Sequence, residues 1–203
     1  GADFTATFDK QSGLLVSYRY KKQEFIHNGQ GPRPFFWRAP IDNDYGARLP
    51  VRLKAWKEAS YQEPKAENFD IVRGKDSTAV KVTYRFPQTD ARWDITYKVY
   101  SNGVIKVNNH FVAENAQAPM IPRVGLRMQL PARITSLAYY GRGPEENYRD
   151  RRTSQFFGEY TSDIKDMYEP YVRPQENNHR TDIYWCTCLL YTSPSPRDPK
   201  TSR

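Results

Sequence analysis

Apolar residues alternate with polar ones at a period of two through the middle of this chain, and that pattern leaves few folds open to it. In Val80-Lys81-Val82-Thr83-Tyr84-Arg85-Phe86 the even positions are apolar or aromatic, and Trp93, Ile95, Tyr97 and Val99 alternate in the same way with Asp94, Thr96 and Lys98. Successive side chains of a strand point to opposite faces, so each run gives one face to a core and one to water. Between the later runs stands Ser101-Asn102-Gly103, whose Asn-Gly pair tolerates the positive φ of a tight hairpin, and Ile105, Val107 and Phe111 follow it. Residues 79–112 therefore predict a three-stranded antiparallel meander. Phe4, Ala6 and Phe8, then a polar turn ending in Gly13, then Leu14, Val16, Tyr18 and Tyr20 predict a second hairpin. Arg123 to Leu130 and Ile134 to Tyr140 form a third set of strand-like runs, parted by Pro131, which cannot donate to a central ladder.

Helical signal is thin. Val51 to Ala59 has room for two turns and Ser162 to Tyr168 for one, but neither carries an apolar stripe of useful length. The predicted class is all-β, a sandwich of short strands, with irregular Pro-rich connections over Gly29–Pro50, Gly141–Arg152 and Pro170–Arg180 holding the chemistry. The 14% aromatic content can supply a core and excludes disorder throughout. No run approaches the roughly 18 apolar residues of a membrane helix, and the first residues lack a basic-then-apolar signal pattern. A net charge of +8 invites a nucleic-acid partner, but the charge is scattered: Lys21-Lys22 and Arg149 to Arg152 are the densest runs, and Asp150 interrupts the second. Neither nucleic acid nor membrane is expected as a partner.

From Cys188 onward the text changes. Cys188-Leu-Leu-Tyr-Thr-Ser-Pro-Ser-Pro-Arg-Asp198 matches, residue for residue, one reading frame of a transposase adaptor used in short-read sequencing. We expect residues 188–203 to be a non-native tail and residues 1–187 to be the N-terminal part of one β-sandwich domain. That view removes Cys188, hence any Cys-x-Cys metal idea resting on Cys186 and Cys188, and part of the basic excess. Gly1-Ala2-Asp3 carries no initiator Met, so a longer chain cut at both ends is expected.

Three polar strings stand out. In Trp37-Arg38-Ala39-Pro40-Ile41-Asp42-Asn43-Asp44, Pro40 holds the chain extended, the Asp42 to Asp44 side chains can accept from neighbouring N–H groups, and Arg38 offers a carboxylate a bidentate partner. The spacing lacks the further oxygen ligands of a calcium loop. Glycoside hydrolysis needs two carboxylates about 5 to 9.5 Å apart around the bond, which a lone D-N-D does not establish. A loop clamped by its own side chains is the simplest reading. Gly141-Arg142-Gly143-Pro144-Glu145-Glu146-Asn147-Tyr148-Arg149-Asp150-Arg151 is not a phosphate loop, since Pro144 removes a donor and no further glycines open a helix. The third string runs from Tyr171 to Asp182 and includes Pro174, Glu176, Asn177, Asn178, His179 and Arg180. His27, His110 and His179 each stand without a second imidazole at ligand spacing, so no metal site is expected here.

In this order and spacing the three strings resemble the C-terminal domain of bacterial β-galactosidases of glycoside hydrolase family 2, the large five-domain enzymes. Phe8-Asp9-Lys10-Gln11-Ser12-Gly13-Leu14-Leu15 is similar to the start of that domain, and the resemblance covers Phe4 to Trp185. It departs at Asn178 and His179, where the family usually has Gly and Asn. The resemblance implies a supersandwich of the galactose-mutarotase-like kind, incomplete at the C-terminus and normally packed beside a catalytic (β/α) barrel. It implies that the acid/base and nucleophile glutamates, and a divalent cation such as magnesium, belong to that barrel, so no catalytic residue and no cofactor is assigned here. The implied parent hydrolyses terminal β-D-galactosides, is oligomeric, and is bacterial, with a cytoplasmic or periplasmic location left open.

For this chain the expected contribution is a substrate-proximal loop of Asp42, Asn43, Asp44, Gly46 and Arg48, in which Gly46 absorbs a backbone change while Asp42 to Asp44 anchor the base of a flap. Two alternatives come from other classes. A free-standing carbohydrate-binding sandwich would use Trp37, Trp56, Trp93 or Trp185 as platforms, although three of the four stand in or beside strand-like runs. An aldose-epimerase-like domain would need a His acid and a Glu base converging in one cleft, with Glu145, Glu146 and Glu176 unassigned.

Overall fold

A computed structural model describes residues 1–115 and 120–190. The described chain is all-β, built of small sheets in which every strand pair is antiparallel. It divides into two compact units, Gly1–Pro131 and Ala132–Arg203.

The first unit opens with β1 (Phe4–Phe8) and β2 (Leu15–Tyr20), the hairpin predicted from alternation, followed by the short β3 (Gln23–Glu24) and β4 (Arg33–Phe35). Gly13 closes the first turn at φ +73, and its Cα lies so near Val82 and Tyr84 that a Cβ would stand 2.4 Å from Val82 Cγ1. Three helices follow: α1 (Asp42–Gly46), α2 (Leu49–Arg52) and α3 (Lys54–Tyr61). The two turns predicted for Val51 to Ala59 thus exist, broken at Leu53 and continued to Tyr61. Then come β5 (Ala66–Arg73), β6 (Ser77–Phe86), β7 (Ala91–Tyr100) and β8 (Ile105–Ala113), a four-stranded sheet in that order. The predicted meander is its last three strands. β5 lacks a clean alternation because it is an edge strand with Ile71 and Val72 both half exposed. Of the expected strand over Arg123 to Leu130 only β9 (Gly125–Arg127) forms, paired with β4, and single bonds from Arg123 N–H to Phe36 O and from Gln129 N–H to Gln30 O extend the contact.

The core of this unit lies on the inner face of the four-stranded sheet. Val80, Val82, Tyr84 and Phe86 of β6 and Ala91, Trp93, Ile95 and Tyr97 of β7 pack with Phe35, Phe36, Trp37, Leu53 and Trp56. Phe36 is its hub, with ring centres 5.0 Å from Trp56, 5.0 Å from Phe86 and 5.3 Å from Trp93. Burial of so many aromatic rings explains why a short α3 holds: Trp56, Ala59 and Ser60 are its buried residues, one turn apart. Ser60 Oγ donates to Trp56 O at 2.7 Å and accepts from Phe36 N–H at 2.9 Å, tying the helix to the chain just after β4.

The second unit is a three-stranded sheet in which β10 (Ile134–Gly143) is flanked by β11 (Phe156–Asp163) and β12 (Trp185–Leu190). The irregular connection expected from Gly141 begins only at Pro144, because β10 runs on through Gly143. Glycine at 141 and 143 leaves room there for Ile183 and Tyr160, whose atoms a Cβ would meet at 2.4 and 2.8 Å. The single turn expected over Ser162 to Tyr168 is a 3-10 turn at Ile164–Met167. Strand β12 passes the expected boundary at Thr187: Cys188 pairs with Leu137 and Leu190 with Ile134. Backbone pairing accepts any strand-forming residues, so this ladder is indifferent to where residues 188–190 come from. Residues 191–203 of the expected tail lie outside the described residues. Cys186 and Cys188 are both free thiols.

Candidate functional site

The first polar string folds into a clamp rather than an open loop. Pro40 and Ile41 leave the strand region extended, and Asp42 starts a helix of five residues. Asp44, the third of them, turns its carboxylate back: Oδ2 accepts the Ile41 N–H at 2.9 Å, satisfying a donor that the helix itself cannot use. Arg38 Nη2 reaches both oxygens of the same carboxylate, Oδ1 and Oδ2, at 2.8 Å each. Asp44 is buried, whereas Asp42 and Asn43 are exposed on the same helix. The predicted Arg38 partner is therefore found, and the polar clamp is concentrated in Asp44.

The unusual backbone near the end of α1 is at Arg48 and not at Gly46. Gly46 is the last residue of α1, has no positive φ, and a Cβ added there would meet nothing within 4 Å. Arg48 carries the left-handed backbone, φ 56 and ψ 28, as the residue that turns α1 into α2. Leu49 and Pro50 then start α2, where proline costs no hydrogen bond.

Beside this clamp is a cleft of about 240 Å³, lined by Trp37, Arg38, Pro40, Asp44, Leu49, Pro50 and Leu53 on one side and by Met120, Ile121 and Pro122 on the other. Most of that lining is apolar, with the Arg38–Asp44 pair as its polar edge. The sequence offered no signal for Met120 to Pro122, which arrive from about 70 residues away along the chain.

The second and third strings form one network within the second unit. Asn147 is fully buried. Its Nδ2 donates to Arg142 O at 3.1 Å and Glu145 O at 3.2 Å, and its Oδ1 accepts from Thr181 N–H at 2.9 Å and Thr181 Oγ1–H at 2.5 Å. His179 Nδ1 lies 2.8 Å from Asn147 O, an acceptor, so that nitrogen carries the proton. The imidazole also stacks on Tyr148, centroids 4.8 Å apart. Glu146 is likewise committed: Arg151 at 2.6 Å, the Tyr171 hydroxyl, and the Asn178 N–H at 2.8 Å all donate to it. Burial, helped by the charges of Glu146 and Glu176, pushes the Tyr148 phenol up to about 12. At Asn178 φ is 59, a left-handed value that asparagine adopts more readily than most residues.

These arrangements discriminate among chemistries. Glu146 and His179 come into one network, but through bonds that hold two loops together, not as an acid and a base facing a cleft. Trp56, Trp93 and Trp37 are 0%, 2% and 5% exposed, which removes three of the four candidate sugar platforms. Among the described residues no group of three His, Cys, Asp or Glu is placed to hold a metal ion.

Residues 1–190 match the family model described as the beta galactosidase small chain. The chain belongs to this family. It is 35% identical over 187 residues to a beta-galactosidase of Priestia megaterium, an alignment covering 92% of this chain and 18% of that protein. Against a beta-galactosidase of Clostridium acetobutylicum it is 37% identical over 163 residues, covering 80% of this chain and 18% of the relative. A beta-galactosidase of Halalkalibacterium halodurans is 34% identical over 186 residues, again with 90% of this chain and 18% of the relative covered. The small-chain segment thus spans less than a fifth of these relatives' length. Among its described residues no helix is long and apolar enough to cross a membrane.

Proposed function

We propose that this small-chain segment serves as a structural and active-site-completing part of a β-galactosidase that releases terminal non-reducing β-D-galactose. The match over residues 1–190, at 18% of the relatives' length, is the observation that carries the reading. In it the two carboxylates of a retaining glycosidase, and the magnesium ion, belong to a barrel elsewhere in the parent. Support for that division comes from the side chains here: Asp44 and Glu146, the buried and nearly buried acids of the three strings, have their oxygens committed to guanidinium and backbone N–H groups. A hydrolytic pair needs one carboxyl free to protonate a leaving group and another free to attack.

The segment's own contribution is the loop of Asp42, Asn43, Asp44, Gly46 and Arg48 beside the apolar cleft, set close to substrate in the assembled parent. Asp44 and Arg38 fix its base. Gly46 has neither a steric nor a φ requirement in the conformation described, so its freedom is available for a second conformation of the segment Gly46–Pro50.

In a complete β-galactosidase whose corresponding segment carries these residues, Gly46→Ala is expected to alter kcat and the affinity for a galactose-derived inhibitor together. Unchanged kinetics and unchanged inhibitor affinity would remove the loop from the substrate site.

A further inference from the structure

Two arginines stand directly opposite each other on the small sheet of the first unit, Arg33 on β4 and Arg127 on β9. Cross-strand partners point to one face, and like charges so placed repel. Little nearby offsets them. Arg33 Nη2 donates to Glu63 Oε2 at 3.1 Å, but the Glu63 side chain is 81% exposed, so water competes for that bond. Arg33 Nε is buried and has no acceptor. Arg127 lies over the rings of Phe35 and Tyr61, at 5.2 and 5.8 Å, and no acceptor for its N–H groups occurs among the described residues. Arg33 and Arg127, with Gln30, Met128 and Gln129, line a pocket of about 90 Å³. Its frame is pinned by backbone bonds, Gln129 N–H to Gln30 O at 2.8 Å and His27 N–H to Gln129 O at 2.9 Å.

We propose that this pocket is a binding site for one small oxyanion, a carboxylate or phosphate group held between Arg33 and Arg127. The volume is about three times a water's share of liquid, enough for such a group. Planar guanidiniums present paired donors that match its oxygens, and an anion between them removes the repulsion across the strand pair. Gln30 and Gln129 are the neutral polar residues of its lining. The site is a property of this chain and is independent of the galactosidase reading.

The test is thermal unfolding of the 203-residue chain in sodium phosphate, sodium acetate and sodium chloride at one ionic strength. A saturable rise in Tm over chloride, about 3–6 °C at ten times the dissociation constant, is expected in at least one oxyanion salt. A response to phosphate alone identifies a free tetrahedral anion; a response to acetate identifies a carboxylate, as an acidic side chain would bring. Arg127→Gln, a substitution at an exposed side chain, should abolish the rise, and Glu63→Gln should lower the half-saturating concentration several-fold by removing the competing acid. No saturable rise over chloride, or a rise that survives Arg127→Gln, overturns the proposal.

Discussion

Among the described residues Glu24 gathers more backbone donors than any helix cap. Its Oε1 accepts the N–H groups of Tyr18, Phe25 and Ile26 at 2.9 to 3.0 Å, and its Oε2 accepts the Ser17 hydroxyl at 2.5 Å. Burial alone would raise its pKa, but the Ser17 hydroxyl and those N–H groups outweigh burial and hold the carboxyl below its ordinary 4.5. The stabilisation is therefore full above that ordinary value and is lost as pH falls through the lower folded value. Glu24→Gln should cost about 1–2 kcal/mol at neutral pH, and the difference from the parent chain in urea melts should shrink as the medium is acidified below pH 4.5. A difference independent of pH would show that the charge is not what matters. Two glycines give a contrasting pair. Gly13→Ala forces a β-carbon into Val82 and Tyr84 at positive φ and should destabilise by more than about 1 kcal/mol. Gly46→Ala enters open space at the end of a helix and should stabilise the segment by about 0.4–1 kcal/mol. The Arg38 carboxylate partner was legible from residue types alone. The left-handed backbone at Arg48 was not, because it depends on where a five-residue helix ends.

At the scale of elements, alternation was a sufficient guide wherever a strand has one buried face. β6 and β7 bury every second residue almost completely, and their limits fall within two residues of the expectation or extend it. β5 and β11 escaped because edge strands with both faces half wet leave no period to read: β11 exposes Phe156 and Phe157 side by side. The joining of the second and third strings was hidden for another reason. Asn147 and Thr181 are 34 residues apart, and a lone asparagine among charged neighbours looks like any surface polar residue. Its burial makes it costly to change. Asn147→Ala would strand two carbonyls and two Thr181 donors, so a loss of about 2–4 kcal/mol is expected, with faster amide exchange at Asn178 and Thr181 than in β10. Equal exchange in mutant and parent would show that the two loops are held by something else, such as Glu146 with Arg151 and Asn178.

For the molecule as a whole, a small-chain match over residues 1–190 joins a chain that covers 18% of its relatives, and the polar strings that carry the resemblance are mostly spent on holding their own loops. On the proposed function such a segment is expected to show no galactosidase activity by itself and to offer a parent shape: a braced loop, an apolar cleft and a sheet face. The family was legible because three polar strings stand in one order and spacing along the chain. The central claim is that the chemistry lies elsewhere in the same polypeptide. Reading the source DNA outward across both ends of this coding region tests it most directly. The account expects the frame to continue upstream into a (β/α) barrel carrying two glutamates, and to depart after Thr187 from the present sequence. A start codon directly before Gly1 with no barrel in frame, and a natural stop after Arg203, would contradict it.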